Sequence, residues 1–380
     1  MKIAISAGET SGDEHGAKLA LALKDLSPQA ELIGMGGRNM RAAGVATFID
    51  SEESASVMGF KDVILSLGKI FKTLNQFKQE LSKHKPDLLI LIDYPDFNLS
   101  IAKHAHNLGI RTVYFIPPKL WAWRSSRVEK IKKHIDCMAC IFPFEPAFYQ
   151  SKAYDKAQFV GHPFTSCNDF TEPSQEERER FLRTLNLNPV KPVLTIFPGS
   201  RKREVIDHLN LLLEAVRIAS KSQPEIQTIV TAAPNISNEL LNRFQSTDAK
   251  FSIYRGDSIE TLRMADAGII KSGTSNLQAA FTGLPFAMFY KMGAFSEIVA
   301  NLLVPLDEYS IVNIIRPKSI RELIKHESHP ESVAQEILKL LFNDQYRTSL
   351  KKSLQQVVNS LKTDAAGNAY AKTAAFFLNN

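Results

Sequence analysis

Asp93 directly follows the apolar run Leu88-Leu89-Ile90-Leu91-Ile92 and opens the stretch Asp93-Tyr94-Pro95-Asp96-Phe97-Asn98. A carboxylate delivered by a buried parallel strand is partly desolvated, which raises its basicity and suits it to removing a proton from a hydroxyl. The duller task of capping the next helix or bonding the loop falls more naturally to Asp96 or Asn98. Further on, Val193-Leu194-Thr195-Ile196-Phe197 leads into Pro198-Gly199-Ser200-Arg201. A guanidinium at that place, with Ser200 beside it, can fork onto a diphosphate. A third strand-like run, from Ala267, ends at Ser272-Gly273-Thr274. There Ser272 or Thr274 can cap the following helix, Gly273 leaves the backbone open to a ligand, and the free N–H groups favour phosphate. By itself a hydroxyl at a strand-to-helix turn is more often only a cap, so the meaning of this turn rests on what converges on it.

The first turn, Gly8-Glu9-Thr10-Ser11-Gly12-Asp13, follows an opening strand over residues 2–7. It is not a G-x-G-x-x-G, so the fingerprint of a nicotinamide or flavin enzyme is missing. Glu9 and Ser11 offer a carboxylate and a hydroxyl, which suit sugar hydroxyls better than a pyrophosphate. Trp121 and Trp123, the two tryptophans of the chain, sit in Pro117-Pro118-Lys119-Leu120-Trp121-Ala122-Trp123-Arg124. Their spacing fits a lid over a ligand and a packed corner equally well. His162, in Gly161-His162-Pro163, reads first as structural, with a ligand contact as the alternative. Cys137 and Cys140 form a lone CxxC inside an apolar run and read as buried thiols; three cysteines make no disulfide framework.

Alternating apolar runs and helical patterns must position these residues. The pattern predicts an α/β protein of two doubly wound, Rossmann-like domains, and 380 residues with 44% apolar composition suffice for both cores. The polar stretch from Asn168 to Arg180 marks the boundary. A net charge of +6 suits an anionic substrate or surface and does not by itself suggest nucleic acid. No apolar run approaches the ~20 residues of a membrane span, and no signal-peptide core precedes the first strand, so a cytoplasmic protein with at most peripheral membrane contact is expected. From Val63, apolar residues at 63, 67, 70, 74, 77 and 81 predict an amphipathic helix, with Lys69, Lys72 and Lys78 off the stripe. Preceded by Val57-Met58-Gly59-Phe60, it fits a core-packing helix and, second, a surface resting on a membrane.

Taken together and in order, the motifs Ala7 to Asp13, Ile92 to Asn98, Trp121 to Arg124, Gly161 to Pro163, Pro198 to Arg201 and Ser272 to Thr274 resemble the lipid-A-disaccharide synthase family. The resemblance implies a GT-B glycosyltransferase of two domains facing a cleft: an acceptor domain over 1–168, a UDP-sugar donor domain over 169–345, and helices over 346–380 packing back on the first. It implies transfer of 2,3-diacylglucosamine from UDP-2,3-diacylglucosamine to the O6 hydroxyl of 2,3-diacylglucosamine 1-phosphate. Inversion is expected, with no metal and no cofactor, at the cytoplasmic face of the inner membrane of a Gram-negative cell. Asp93, Arg201 and Asn313 fall on functional positions of the family, Asn313 by the resemblance alone. Ser200, Arg201, Ser272, Gly273, Thr274 and Gln278 fall on the donor side, and Glu9, Ser11, Trp121 and Trp123 on the acceptor side. The chain departs from the family where Gln278 replaces a glutamate expected to bond the ribose, at Pro117-Pro118-Lys119, and at Arg316-Pro317-Lys318.

Three rival readings fit parts of the pattern. A UDP-N-acetylglucosamine 2-epimerase-like isomerase shares the fold but should carry more carboxylates and histidines around the sugar. A transferase using an undecaprenyl-linked acceptor should have a glycine-rich first turn. A non-catalytic UDP-sugar or lipid-binding paralogue accounts for Gln278 and Lys119, but has no need of a base such as Asp93.

Overall fold

A computed structural model of the chain describes residues 1–52, 63–122, 125–167, 169–245, 250–291, 308–363 and 368–379. The chain divides into two compact units, Met1–Ser166 with Leu361–Asn380, and Cys167–Ser360.

Among the described residues, the first unit is built on seven parallel strands: β1 (Lys2–Ala7), β2 (Glu31–Gly36), β3 (Ala46–Asp50), β4 (Leu88–Ile92), β5 (Arg111–Phe115), β6 (Cys137–Cys140) and β7 (Ala157–Phe159). Their order is β3-β2-β1-β4-β5-β6-β7. β4 is buried along its whole length, which is why its sequence shows no alternation: helices cover both faces of a parallel sheet. Cys137 and Cys140 are buried on β6, and burial pushes the Cys137 thiol up to about 11.

The second unit repeats the plan with β8 (Val193–Phe197), β9 (Gln227–Thr231), β10 (Ser252–Tyr254), β11 (Ala267–Lys271), β12 (Phe286–Tyr290) and β13 (Glu322–Ile324). Their order is β10-β9-β8-β11-β12-β13, again all parallel. The three-residue β13 is too short to show a period and escapes the sequence reading.

Two expectations need correction. The segment 346–380 does not return to the first unit as a whole. The helix Asp344–Ser360 buries Leu350, Leu354 and Val357 in the core of the second unit, and only the stretch from Leu361 belongs to the first. There the helix Ala369–Asn379 lies against the helix Thr10–Leu26, with the Tyr370 hydroxyl 2.8 Å from His15 Nδ1. The stripe on the helix Val63–His84 is also not uniformly buried. Phe77 and Leu81 are fully buried, whereas Ile70 and Phe71 are 39% and 62% exposed, beside the exposed Lys69 and Lys72. The stretch Val57 to Phe60 lies outside the described residues. No described helix is long and apolar enough to cross a membrane.

Candidate active site

In an open parallel sheet, ligands bind beyond the carboxyl ends of the strands, at the point where strand order reverses. In the first unit that point lies between β1 and β4, paired in register from Ile3 with Leu88 to Ala7 with Ile92. β1 delivers Gly8 and Glu9 there, and β4 delivers Asp93 and Tyr94. Both residues leaving β4 are left-handed, with φ of 45° and 48°, a conformation that costs an ordinary side chain roughly 1 kcal/mol or more and that surrounding bonds must enforce. The Asp93 carbonyl accepts from the Tyr114 hydroxyl at 2.5 Å and the Asn98 amide at 2.7 Å, while Ser6 Oγ donates to Asn98 Oδ1 at 2.7 Å. Asn98 thus has the loop-bonding role foreseen for it, and Asp96 pairs with Arg127 at 2.6 Å.

Burial raises the Asp93 carboxyl above its ordinary range, and the Tyr94 N–H and the Lys119 ammonium offset this only in part. Glu9 caps the helix Thr10–Leu26 through its backbone alone. Its carboxyl is raised by desolvation and then by the negative charge of Asp93. Two carboxylates therefore share this edge, with Asp93 the more enclosed. Ser11 is exposed on the first turn of the same helix. Asp13, buried two residues later, accepts from the N–H groups of Gly37, Asn39 and Met40, and so fixes the neighbouring turn.

Trp121 is seated as a packed corner. Its indole N–H donates to Glu145 Oε1 at 3.1 Å, and its ring meets Phe144 edge-on at 5.0 Å. Trp123 and Arg124 lie outside the described residues. His162 is buried between Phe142 and Phe164, with Nδ1 accepting from the Phe164 N–H at 3.1 Å. Burial holds it neutral, pushed down to about 3, which agrees with the structural reading.

In the second unit the order reverses between β8 and β11, where Phe197 pairs with Ile270. A pocket of about 400 Å³ opens there, lined among others by Gly199, Ser200, Lys271, Ser272, Gly273 and Thr274. The cap expected from Ser272 or Thr274 is not made. The N-cap of the helix Thr274–Thr282 is Gly273, with no side-chain bond, and Ser272 Oγ donates instead to the Tyr309 carbonyl at 3.4 Å. The leading N–H groups of this nine-residue helix therefore lack a side-chain cap at the pocket wall, and a side chain added at Gly273 would meet nothing within 4 Å. Arg201 caps the helix Lys202–Ser222, its guanidinium 84% exposed and 3.8 Å from Glu204.

Lys271, which the sequence reading passed over, is the cation built into this wall. Its Nζ lies 3.2 Å from Glu204 and 5.4 Å from the centre of the Tyr290 ring. Burial alone would raise the Glu204 carboxyl, but Lys271 and Arg201 outweigh it and hold it below its ordinary value. The available signal was its place as the last residue of a buried strand just before the Ser-Gly-Thr turn. Gln278 is half-buried one turn further along that helix.

The Asn313 side chain is held by internal bonds. Its amide donates to Glu308, Glu322 and the Ile320 carbonyl at 2.9 to 3.1 Å and accepts from the Ile320 N–H at 2.9 Å. Glu322 accepts in turn from the N–H groups of Tyr309 and Ser310, and Ser310 Oγ donates to Asn276 at 2.9 Å. Asn313 therefore ties β13 to the segment that braces the helix after Ser272-Gly273-Thr274.

A carboxylate at one switch point and a phosphate-type turn with two cations at the other, on two parallel Rossmann-like sheets, define a protein of the GT-B class. The fold agrees with solved structures of that class. A UDP-GlcNAc 2-epimerase from Neisseria meningitidis superposes with a TM-score of 0.64 at 12% identity over the whole of both chains. MurG from Acinetobacter baumannii gives 0.56 at 14%, over 100% of this chain and 99% of its own. Identities so low speak for the fold alone. The sequence is more specific: residues 3–375 match the family model of lipid-A-disaccharide synthetase. The lipid-A-disaccharide synthase of Coxiella burnetii (strain Dugway 5J108-111) is 34% identical over 371 residues, covering 97% of this chain and 96% of that protein. The chain belongs to the lipid-A-disaccharide synthase family, and is a glycosyltransferase of lipid A biosynthesis.

Proposed function

We propose that this enzyme transfers 2,3-diacylglucosamine from UDP-2,3-diacylglucosamine to O6 of 2,3-diacylglucosamine 1-phosphate, inverting the anomeric centre and releasing UDP. Asp93 takes the proton from O6 as that oxygen attacks C1 of the donor sugar, and the bond from C1 to the diphosphate oxygen breaks. Arg201, Ser200 and the turn Ser272 to Thr274 carry the negative charge that builds on UDP, with Lys271 beside them and Gln278 toward the ribose. Glu9, Ser11, Trp121 and Trp123 serve the acceptor. Residues 1–168 form the acceptor domain, and the donor domain runs from 169 to Ser360, because the helix Asp344–Ser360 belongs to its core. The exposed Ile70 and Phe71 beside Lys69 and Lys72 support peripheral contact with the cytoplasmic face of the inner membrane.

The observation that carries this reading is the largely enclosed Asp93 carboxyl, raised by burial and held at the sheet's switch point. Its test is disaccharide formation from the two named substrates by wild type and by Asp93→Asn. Product from wild type and its collapse in the variant are expected. No product from wild type across several acyl lengths, with UDP-sugar binding retained, would replace the reading by that of a binding paralogue.

A further inference from the structure

The helix Glu145–Ser151 holds the loop that leaves β5 at two points. At its first residue, the Glu145 carboxylate accepts from the Trp121 indole N–H at 3.1 Å through Oε1. Through Oε2 it accepts from the N–H groups of Ile141 and Phe142 at 3.2 and 3.1 Å. One turn on, the Tyr149 hydroxyl donates to the Pro118 carbonyl at 3.0 Å. Glu145 is 1% and Tyr149 0% exposed, so neither bond is shared with water. Between these anchors lies Lys119, whose ammonium is exposed and whose charge reaches Asp93. The loop starts strained: Ile116, a β-branched residue ahead of Pro117, sits at φ 57°. A buried carboxylate with three N–H donors, each on the surrounding loop or turn, is costly unless it fixes something.

We propose that Glu145 is a positioning residue of the transfer reaction: with Tyr149 it clamps the loop from Pro117 to Trp121, so that Trp121 and Lys119 are preset together. This rests on the function proposed above, since it assumes that Trp121 meets the acceptor. The clamp also has a direction with pH. Burial pushes the Glu145 carboxyl up to about 7, and the Phe142 N–H, Trp121, the Ile141 N–H and Lys119 only partly offset that. The other groups facing it keep their state near neutrality. Cys140 on β6 and Tyr149 are pushed up and stay protonated, and His162, packed on Phe142, is pushed down to about 3 and stays neutral. Protonation of Glu145 removes the charge that strengthens its bonds to Trp121 and the two amides and sets an O–H among those donors, so the three bonds weaken and the hold on Trp121 loosens.

The test uses the full chain with Trp123→Phe, which leaves Trp121 as its one tryptophan. Its emission should shift between pH 6 and 8 with a midpoint near 7, and with Glu145→Gln added the midpoint should vanish. KM for the acceptor should rise roughly tenfold in Glu145→Gln at pH 8 while affinity for UDP is unchanged, the loss of one bond to a charged group. Tyr149→Phe, which keeps the ring, should raise the acceptor KM in the same direction. A pH-independent Trp121 emission, or an acceptor KM unmoved in both variants, overturns the proposal. Should Glu145→Gln fail to fold, the titration without it and Tyr149→Phe still decide. If the wild type makes no disaccharide, the function proposed above fails, and the emission titration still reports on the clamp.

Discussion

The ring of Tyr94 fills the space that a side chain at Gly8 would need: a methyl group there would lie 2.6 Å from Tyr94 Cε1. Gly8 ends β1 and Tyr94 follows Asp93 at the end of β4, so this contact locks together the two strand ends of the switch point. Tyr94 in turn stacks on Phe97 at 5.2 Å, which leaves its ring little room to retreat.

Gly8→Ala is therefore expected to lower both stability and turnover. Overpacking at such a site costs about 1–3 kcal/mol, and displaced Tyr94 carries Asp93 with it. Denaturant unfolding and steady-state kinetics together check this; an alanine variant with wild-type kcat would show that the contact does not position the base.

Asp93→Asn should cut turnover roughly 10²- to 10⁴-fold, the usual contribution of a positioned general base. It should at the same time stabilise the fold at pH 8. The folded-state carboxyl of Asp93 is raised, so its contribution is fully present below the unfolded value of 3.8 and is lost as pH rises through the folded one. The neutral amide does not suffer that loss. Thermal unfolding should show the variant above wild type at pH 8 and level with it at acid pH. A variant less stable than wild type at pH 8 would contradict the burial of this charge.

Arg201→Ala should weaken UDP binding roughly 10- to 100-fold, as expected for removing a forked, charge-assisted contact. Because the guanidinium is 84% exposed, the melting temperature should hardly move. Calorimetric titration with UDP is the check, and unchanged affinity would remove Arg201 from the diphosphate.

Asn313→Ala should act through the fold. It takes a donor from the half-buried carboxylate Glu322 and leaves the buried Ile320 N–H unpaired, and a stranded buried group of that kind costs about 1–3 kcal/mol. Loss of activity should run parallel to loss of folded protein across temperature. Full stability with abolished turnover would return Asn313 to the reacting groups.

Reversing the charge of Lys69, Lys72 and Lys78 should reduce sedimentation with anionic vesicles and leave turnover of short-chain substrates intact. Equal sedimentation of variant and wild type would remove the membrane contact from this helix.

Strand-helix alternation was legible in the sequence because parallel strands buried on both faces are continuous apolar runs, as in Leu88 to Ile92 and Val193 to Phe197. The residues that follow such runs, Asp93, Arg201 and Ser272 to Thr274, stand at strand ends by chain continuity, so their placement at the carboxyl edge needed only the strand assignment. Which of those edges is a switch point came from strand order, and that is a tertiary property. Partner choice was likewise hidden. Glu145 and Trp121 lie 24 positions apart, and nothing in either local pattern joins them. Asn313 was singled out by the resemblance alone, and only its bonds to Glu322 and Ile320 show what it does for the frame. The helices over 346–380 were expected on the first domain, and only the burial of Leu350, Leu354 and Val357 shows that the helix Asp344–Ser360 belongs to the second core. Local period and chain continuity therefore determined the elements and the residues at their ends, while hydrogen bonds and burial between distant segments decided which of those residues remain free for chemistry.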